Sequence, residues 1–238
     1  MKRFFDRIAK KALDPRQPSV VICALGDSVT QGVMEHRWLD PSATYLRRLQ
    51  IALEEFFPTT TFNTLNAGVS GDQVTGGLER LDRDVIQHQP DLVLLAFGLN
   101  DCLKGISNTG EFGKTLTKIV GRLQNETEAD IVLVTPPFMA TRAGSRVHPE
   151  HSPFAGDIAR CQNDGTLAAY AEIIRQVSSR EKLALADVHA EWKRLQKAAV
   201  DTDLWLSNGL NHPDARGHQL PATVIFHALL SGREQPKA

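Results

Sequence analysis

Short apolar runs alternate with longer amphipathic stretches along most of this chain. Runs that read as strands lie at Ser19–Leu25, Thr60–Leu65, Leu92–Phe97, Ile131–Thr135 and Leu183–Val188. They are rich in β-branched and aliphatic residues and are bounded by turn formers. The runs at 92–97 and 131–135 are continuously apolar, as strands covered on both faces should be. Between them the spacing is helical. Pro41–Phe57 places Leu46, Leu49, Leu53 and Phe56 on one side, with Pro41 suited to a first turn. Asp72–Gln89 does the same with Val74, Leu78, Leu81, Val85 and Ile86, and Gly110–Gln124 with Leu116, Ile119, Val120 and Leu123. Thr166–Ser178, a shorter stretch near Ala190–Ala199, and Ala215–Leu230 complete the series. Alternation of this kind predicts an α/β fold, with parallel strands, right-handed crossovers and helices on both faces.

Two segments stand outside the alternation. Residues 1–18 form an N-terminal extension. Phe4, Phe5, Ile8 and Ala12 fall on one side of a short helix there, with charges opposite. Asp6 interrupts the basic face, so a helix docked on the domain is favoured over one lying on a membrane surface. Residues 136–157 carry prolines, glycines and little periodicity, which predicts a long loop. It leaves the end of the fourth strand and should border whatever lies there. It holds Arg142, Arg146, His148 and His151.

Composition narrows the picture. The chain has 238 residues, 42% hydrophobic and 23% charged, with a net charge of -1. That suits one domain over residues 1–238, with a small-molecule partner and no electrostatic case for nucleic acid. Cys23, Cys102 and Cys161 are too few and odd in number for a disulfide framework, which fits a cytoplasmic setting. No apolar run approaches the roughly 20 residues of a membrane helix, so no integral membrane segment is expected.

The candidate chemistry sits at the ends of the strands, where open α/β sheets hold their ligands. The first strand runs into Gly26-Asp27-Ser28-Val29-Thr30. The second ends in Asn66-Ala67-Gly68-Val69-Ser70-Gly71-Asp72, and the third in Gly98-Leu99-Asn100-Asp101. Before the last helix comes Asn208-Gly209-Leu210-Asn211-His212-Pro213. Together they bring a hydroxyl, a glycine N–H, a carboxamide and an imidazole to one rim. Acyl transfer needs these parts. A serine attacks only if a base takes its proton, and the oxyanion that forms needs pre-aimed donors.

These four blocks, in this order over residues 26–213, resemble the SGNH hydrolases of the GDSL esterase/lipase superfamily. The resemblance implies a flavodoxin-like three-layer α/β/α sandwich with a five-stranded parallel sheet. It implies hydrolysis of a carboxylic ester through an acyl-enzyme, without a cofactor. Ser28 would be the nucleophile and His212 the base. Gly71 and Asn100 would form the oxyanion hole with the Ser28 N–H. The histidine block departs from the family pattern, because the expected acid positions hold Gly209 and Asn208. In serine proteases the corresponding Asp→Asn change lowers kcat by roughly 10⁴-fold through the wrong imidazole tautomer. Three readings stay open: a Ser28–His212 dyad oriented by Asn208 or a backbone carbonyl, a carboxylate supplied by Asp203 or Asp214, or a weak or inactive enzyme. If Asn208 faces the imidazole, Asn208→Asp should preserve or raise activity.

The remaining polar residues read as structural. Asp27 and Asp101 are expected to brace their loops, and Cys102 to be a small buried residue. Trp38 and Trp205 are expected to pack, with a sugar-stacking or acyl contact open to one of them. His36, His88, His189, His218 and His227 show no paired metal spacing, and the loop setting of His148 and His151 argues against zinc, so no metal is expected. The polar character of 136–157 favours a short acyl group on a hydrophilic alcohol, such as a carbohydrate O-acetyl. A thioesterase or lysophospholipase is the sister reading. A flavodoxin-like binding module, with Gly26–Thr30 cradling a phosphate, is the alternative from another class.

Overall fold

A computed structural model describes residues 1–231. The strands are β1 (Val20–Gly26), β2 (Phe62–Gly68), β3 (Leu92–Ala96), β4 (Asp130–Val134) and β5 (Ala184–Ala186). All pair in parallel, in the order β2-β1-β3-β4-β5. The helices are α1 (Lys2–Leu13), α2 (Ser28–Gln31), α3 (Tyr45–Phe56), α4 (Val74–Glu79), α5 (Leu81–Asp84), α6 (Thr109–Glu126), α7 (Ser152–Asn163), α8 (Thr166–Glu181), α9 (Val188–Lys197) and α10 (Ala215–Ser231).

The strand pleat explains the layers. Cys23 and Leu25 of β1, Val93 and Leu95 of β3, and Ile131 and Leu133 of β4 face one way, toward α4 to α8. Their neighbours Ile22, Ala24, Leu92, Leu94 and Val132 face the other, toward α1, α3, α9 and α10. This is the three-layer α/β/α sandwich that the alternation implies. Phe4 and Ile8 of α1 are buried in the second layer. The Phe4 N–H donates to Asp130 Oδ2 at 2.8 Å and Arg7 pairs with Asp91 at 2.9 Å. The apolar side of α1 is therefore spent on the protein itself.

Several elements differ from the sequence pattern. The stretch 41–57 opens with a 3₁₀ turn at Pro41–Ala43, and α3 starts at Tyr45, where Thr44 caps it by accepting from the Arg47 N–H. The strand read at 60–65 runs from Phe62 to Gly68. The stretch 72–89 is not one helix. It breaks into α4, α5 and a 3₁₀ turn at Ile86–His88, although Val74, Leu81, Val85 and Ile86 are still buried. The break falls at Arg80, whose guanidinium is drawn inward by carboxylates and carbonyls. The strand read at 183–188 stops at Ala186, because Asp187 caps α9 by accepting from the Ala190 N–H. The loop read at 136–157 ends early, since α7 begins at Ser152. Pro153 and Gly156 hide that helix from a propensity reading, yet Ala155, Ile158 and Cys161 bury one face of it.

The strand order places the site. β2 lies on one side of β1, and β3 returns to the other side, so the crossovers diverge at the carboxyl end of β1. The Ser28, Gly71 and Asn100 loops all leave the sheet there. Among the described residues no helix is long and apolar enough to cross a membrane.

Candidate active site

Ser28 is fixed by a tight turn. Asp27 caps α2, accepting from the Val29 N–H at 2.9 Å, so Ser28 is the first residue of the helix. The turn requires glycines. A Cβ on Gly26 would lie 2.7 Å from the Ala96 carbonyl oxygen, and one on Gly68 would lie 2.2 Å from the Gln31 nitrogen. Arg80 ties this end of the sheet together. Its guanidinium donates to the carbonyls of Gly26 at 2.9 Å and Ala67 at 2.7 Å, and it pairs with Asp72 and Asp84. Arg80 carries no signal in the sequence, because a lone arginine on a helical stretch gives no sign that it turns inward.

His212 reaches Ser28 from the far end of the chain. Its Nε2 lies 3.0 Å from Ser28 Oγ, and its Nδ1 lies 3.2 Å from the carbonyl oxygen of Met34. A carbonyl only accepts, so Nδ1 carries the proton and Nε2 presents its lone pair to the hydroxyl. That is the tautomer a general base needs. Burial pushes the His212 pKa down to about 4, against a smaller upward effect of the Met34 carbonyl. The ring is therefore neutral at rest.

Asn208 does not orient the ring. Its Oδ1 accepts from the backbone N–H groups of Leu210, Asn211 and His212, each at 3.0 Å, and its Nδ2 donates to Asn211 Oδ1 at 3.1 Å. It shapes the turn that carries His212, in which Gly209 adopts φ +66°. Nor do the two carboxylates serve. Asp203 accepts from Thr141 and pairs with Arg142, while Asp214 caps α10 and pairs with Arg216. Of the open candidates, the backbone carbonyl is the one in contact. Its residue, Met34, carries no chemical signal in sequence because the contact is through the main chain.

The donors on the opposite side are arranged around the same cleft. Gly71 has φ +77°, and its N–H meets no protein acceptor among the described residues. Asn100 Nδ2 gives one hydrogen to the Asp72 carbonyl at 3.0 Å, which leaves its second hydrogen. Asp101 braces both loops, accepting from the N–H groups of Val74 and Gly98 at 3.0 Å each. Ser28, Gly71, Asn100 and His212 all line one cleft of about 700 Å³. Asp27, beneath it, has its carboxyl pushed up to about 7, first by burial. Such an arrangement can draw a proton from Oγ and offer N–H groups to an oxygen that gains charge.

The lip of the cleft is apolar. Trp38 is 55% exposed and Phe154 58%, and Leu39 and Leu103 lie beside them. His36 and His151 line the same mouth. Trp205, by contrast, packs against Trp192 and under Arg216. Cys23, Cys102 and Cys161 are free and buried, and burial raises the Cys102 thiol far above its ordinary value.

Comparison with known proteins identifies the family and the fold. An arylesterase from Vibrio mimicus is 39% identical over 92 residues, covering 37% of this chain and 42% of the relative's length. Esterase TesA from Pseudomonas aeruginosa is 23% identical over 184 residues, covering 77% of this chain and 78% of the relative. Among solved structures, a catalytic mutant of an acetylxylan esterase from Geobacillus stearothermophilus superposes with a TM-score of 0.66 at 20% identity, covering 92% of this chain and 97% of that one. A lipase/acylhydrolase from Enterococcus faecalis gives 0.65 at 22% identity, covering 92% and 99%. These two likenesses speak to the fold. The family model described as GDSL-like Lipase/Acylhydrolase matches residues 24–220, and the chain belongs to that family of ester hydrolases.

Proposed function

We propose that this protein hydrolyses short-acyl carboxylic esters through a Ser28 acyl-enzyme, with His212 as general base. The observation that carries the reading is the 3.0 Å contact between Ser28 Oγ and an imidazole whose Nδ1 is held by the Met34 carbonyl. His212 takes the Oγ proton as the serine attacks the ester carbon, then returns it to the leaving alcohol. The Ser28 and Gly71 N–H groups and Asn100 Nδ2 receive the oxyanion, and each such donor typically contributes about 3 kcal/mol of transition-state stabilisation. The imidazolium formed in that step has a carbonyl dipole beside it in place of a carboxylate. Met34 also accepts from Ser207 Oγ at 2.8 Å, so part of that dipole is shared. A modest turnover number follows from this chemistry.

The alcohol portion is read from the lip. Trp38 and Phe154 offer flat apolar faces to a ring, which supports an aryl ester. The arylesterase relative points the same way over the part it matches. The carbohydrate O-acetyl reading keeps one supporting observation, since an exposed Trp38 is also a surface on which a sugar ring can stack. Turnover of phenyl acetate, p-nitrophenyl esters of graded chain length and acetylated xylo-oligosaccharides tests the proposal. Acetyl and propionyl aryl esters should be the best substrates, and Ser28→Ala should abolish turnover. Equal activity of Ser28→Ala would overturn the mechanism, and a preference for the acetylated sugar would move the alcohol to carbohydrate.

A further inference from the structure

The sequence separates His36 from His148, Glu150 and His151 by more than a hundred positions, and the fold brings them together at the mouth of the cleft. His36 follows α2. The other three lie on the segment after β4, in and around a 3₁₀ turn at Pro149–His151. His36 Nε2 is 3.5 Å from Glu150 Oε2. Ligand atoms of His36, His148 and Glu150 all lie within 4.8 Å of one another. On its other side, His36 Nδ1 is 3.4 Å from His151 Nε2.

We propose that His36, His148 and Glu150 form a binding site for a divalent cation of the zinc type, with His151 orienting His36. Metal–ligand bonds of about 2.0–2.1 Å in a tetrahedral site separate the ligand atoms by about 3.4 Å. The His36–Glu150 pair already meets that spacing. Two imidazoles and one carboxylate suit zinc or its late first-row neighbours, whereas calcium and magnesium prefer oxygen alone. His151 supplies the outer contact that histidine ligands usually have on the nitrogen they do not coordinate with.

One movement is needed. The rings of His36 and His148 are stacked, with centroids 3.9 Å apart and planes 4° from parallel. Parallel rings cannot both aim in-plane lone pairs at one ion, so His148 must turn. The turn releases one long hydrogen bond, from the Glu150 N–H to His148 Nδ1 at 3.3 Å. Glu150, 58% exposed, must also leave Arg37, which lies 3.7 Å away. Both costs are small beside a metal–ligand bond.

A cation here would tie His36, on one wall of the cleft, to the segment that carries His151 and Phe154 on the other, and so narrow the approach to Ser28. Zinc should therefore slow the esterase reversibly. The test is isothermal titration of the tag-free protein with zinc sulfate, and separately with magnesium chloride. One equivalent of zinc should bind and magnesium should not. His36→Ala, His148→Ala and Glu150→Gln should each weaken zinc binding by more than about tenfold, and His151→Ala by about tenfold. His88→Ala and His227→Ala should leave it unchanged. Ser28→Ala should bind zinc normally, so the site stands or falls apart from the serine mechanism. Absence of stoichiometric zinc binding, or binding unaffected by His36→Ala and His148→Ala in protein of normal circular dichroism, would overturn the proposal.

Discussion

At His212, the Met34 carbonyl fixes the imidazole tautomer, the orienting half of what a triad assigns to an acid, without the acid's charge. The Asp→Asn loss in serine proteases arises because the imidazole takes the wrong tautomer. Here the Met34 carbonyl excludes that tautomer, since it has no proton to give. Asn208 is left free for another task, and its three backbone contacts define a specific expectation. Asn208→Ala should lose about 1–3 kcal/mol of stability, the cost of orphaning buried N–H groups. Its kcat should fall further than its KM rises, because the turn that carries His212 loosens. Asn208→Asp keeps the acceptor and loses only the donor to Asn211, so it should be much closer to wild type in thermal unfolding. Equal melting temperatures for Asn208→Ala and wild type would contradict this account. That Ser28, Gly71, Asn100 and His212 would share one cleft was legible in sequence, because the first three follow strand ends and His212 precedes the last helix. What holds His212 was not, because a main-chain carbonyl leaves no mark on residue type.

Among the elements, the β1–α2 turn is the most constrained. Gly26 and Gly68 are glycines because strand ends and α2 meet there with no room for a Cβ. Gly71 is a glycine for a different reason. A Cβ there meets nothing within 4 Å, and only φ +77° restricts the position. The two substitutions should therefore diverge. Gly68→Ala should displace α2 and cost about 3 kcal/mol, the upper end for an overpacked site, because the clash is with backbone. Gly71→Ala should cost about 1 kcal/mol of backbone strain and keep its N–H. Denaturant unfolding and ester turnover measure both, and a milder effect for Gly68→Ala would contradict the packing reading. At this scale the sequence was informative where the period was clean. α3, α6, α8 and α10 follow their apolar spacing, and all five strands were found. It misled where a side chain overrode the period. Arg80 ends α4, Asp187 ends β5, and α7 starts through Pro153, whose rigid ring favours a first turn as readily as a loop.

Across the whole molecule, buried histidines set the response to acid. Burial lowers His212 and His189 to about 4 and His218 to about 3, each from an ordinary 6.5. Between about pH 4 and 6.5 the unfolded chain binds protons at these three sites and the folded chain does not, so stability rises with pH across that window. Their stabilisation is complete above pH 6.5 and is lost as pH falls toward 4, each at on the order of 1 kcal/mol per pH unit. Asp27 works the other way. Its folded carboxyl, raised to about 7 by burial, binds a proton that the unfolded one releases above 3.8, so it gains stability as pH falls. Burial raises the Asp101 carboxyl as well, but three histidines outweigh these two carboxyls, and melting temperature should drop between pH 6.5 and 4.5. A flat profile there would contradict the burial of these rings.

The same neutral His212 underlies the claim on which the function rests, that Ser28 is an activated nucleophile. Intact-mass measurement after treatment with a fluorophosphonate tests it most directly. The protein should gain one covalent adduct, mapped to Ser28. The adduct should vanish in Ser28→Ala and form far more slowly in His212→Ala. Folded wild-type protein that gains no adduct, or gains it at another residue, would contradict the account.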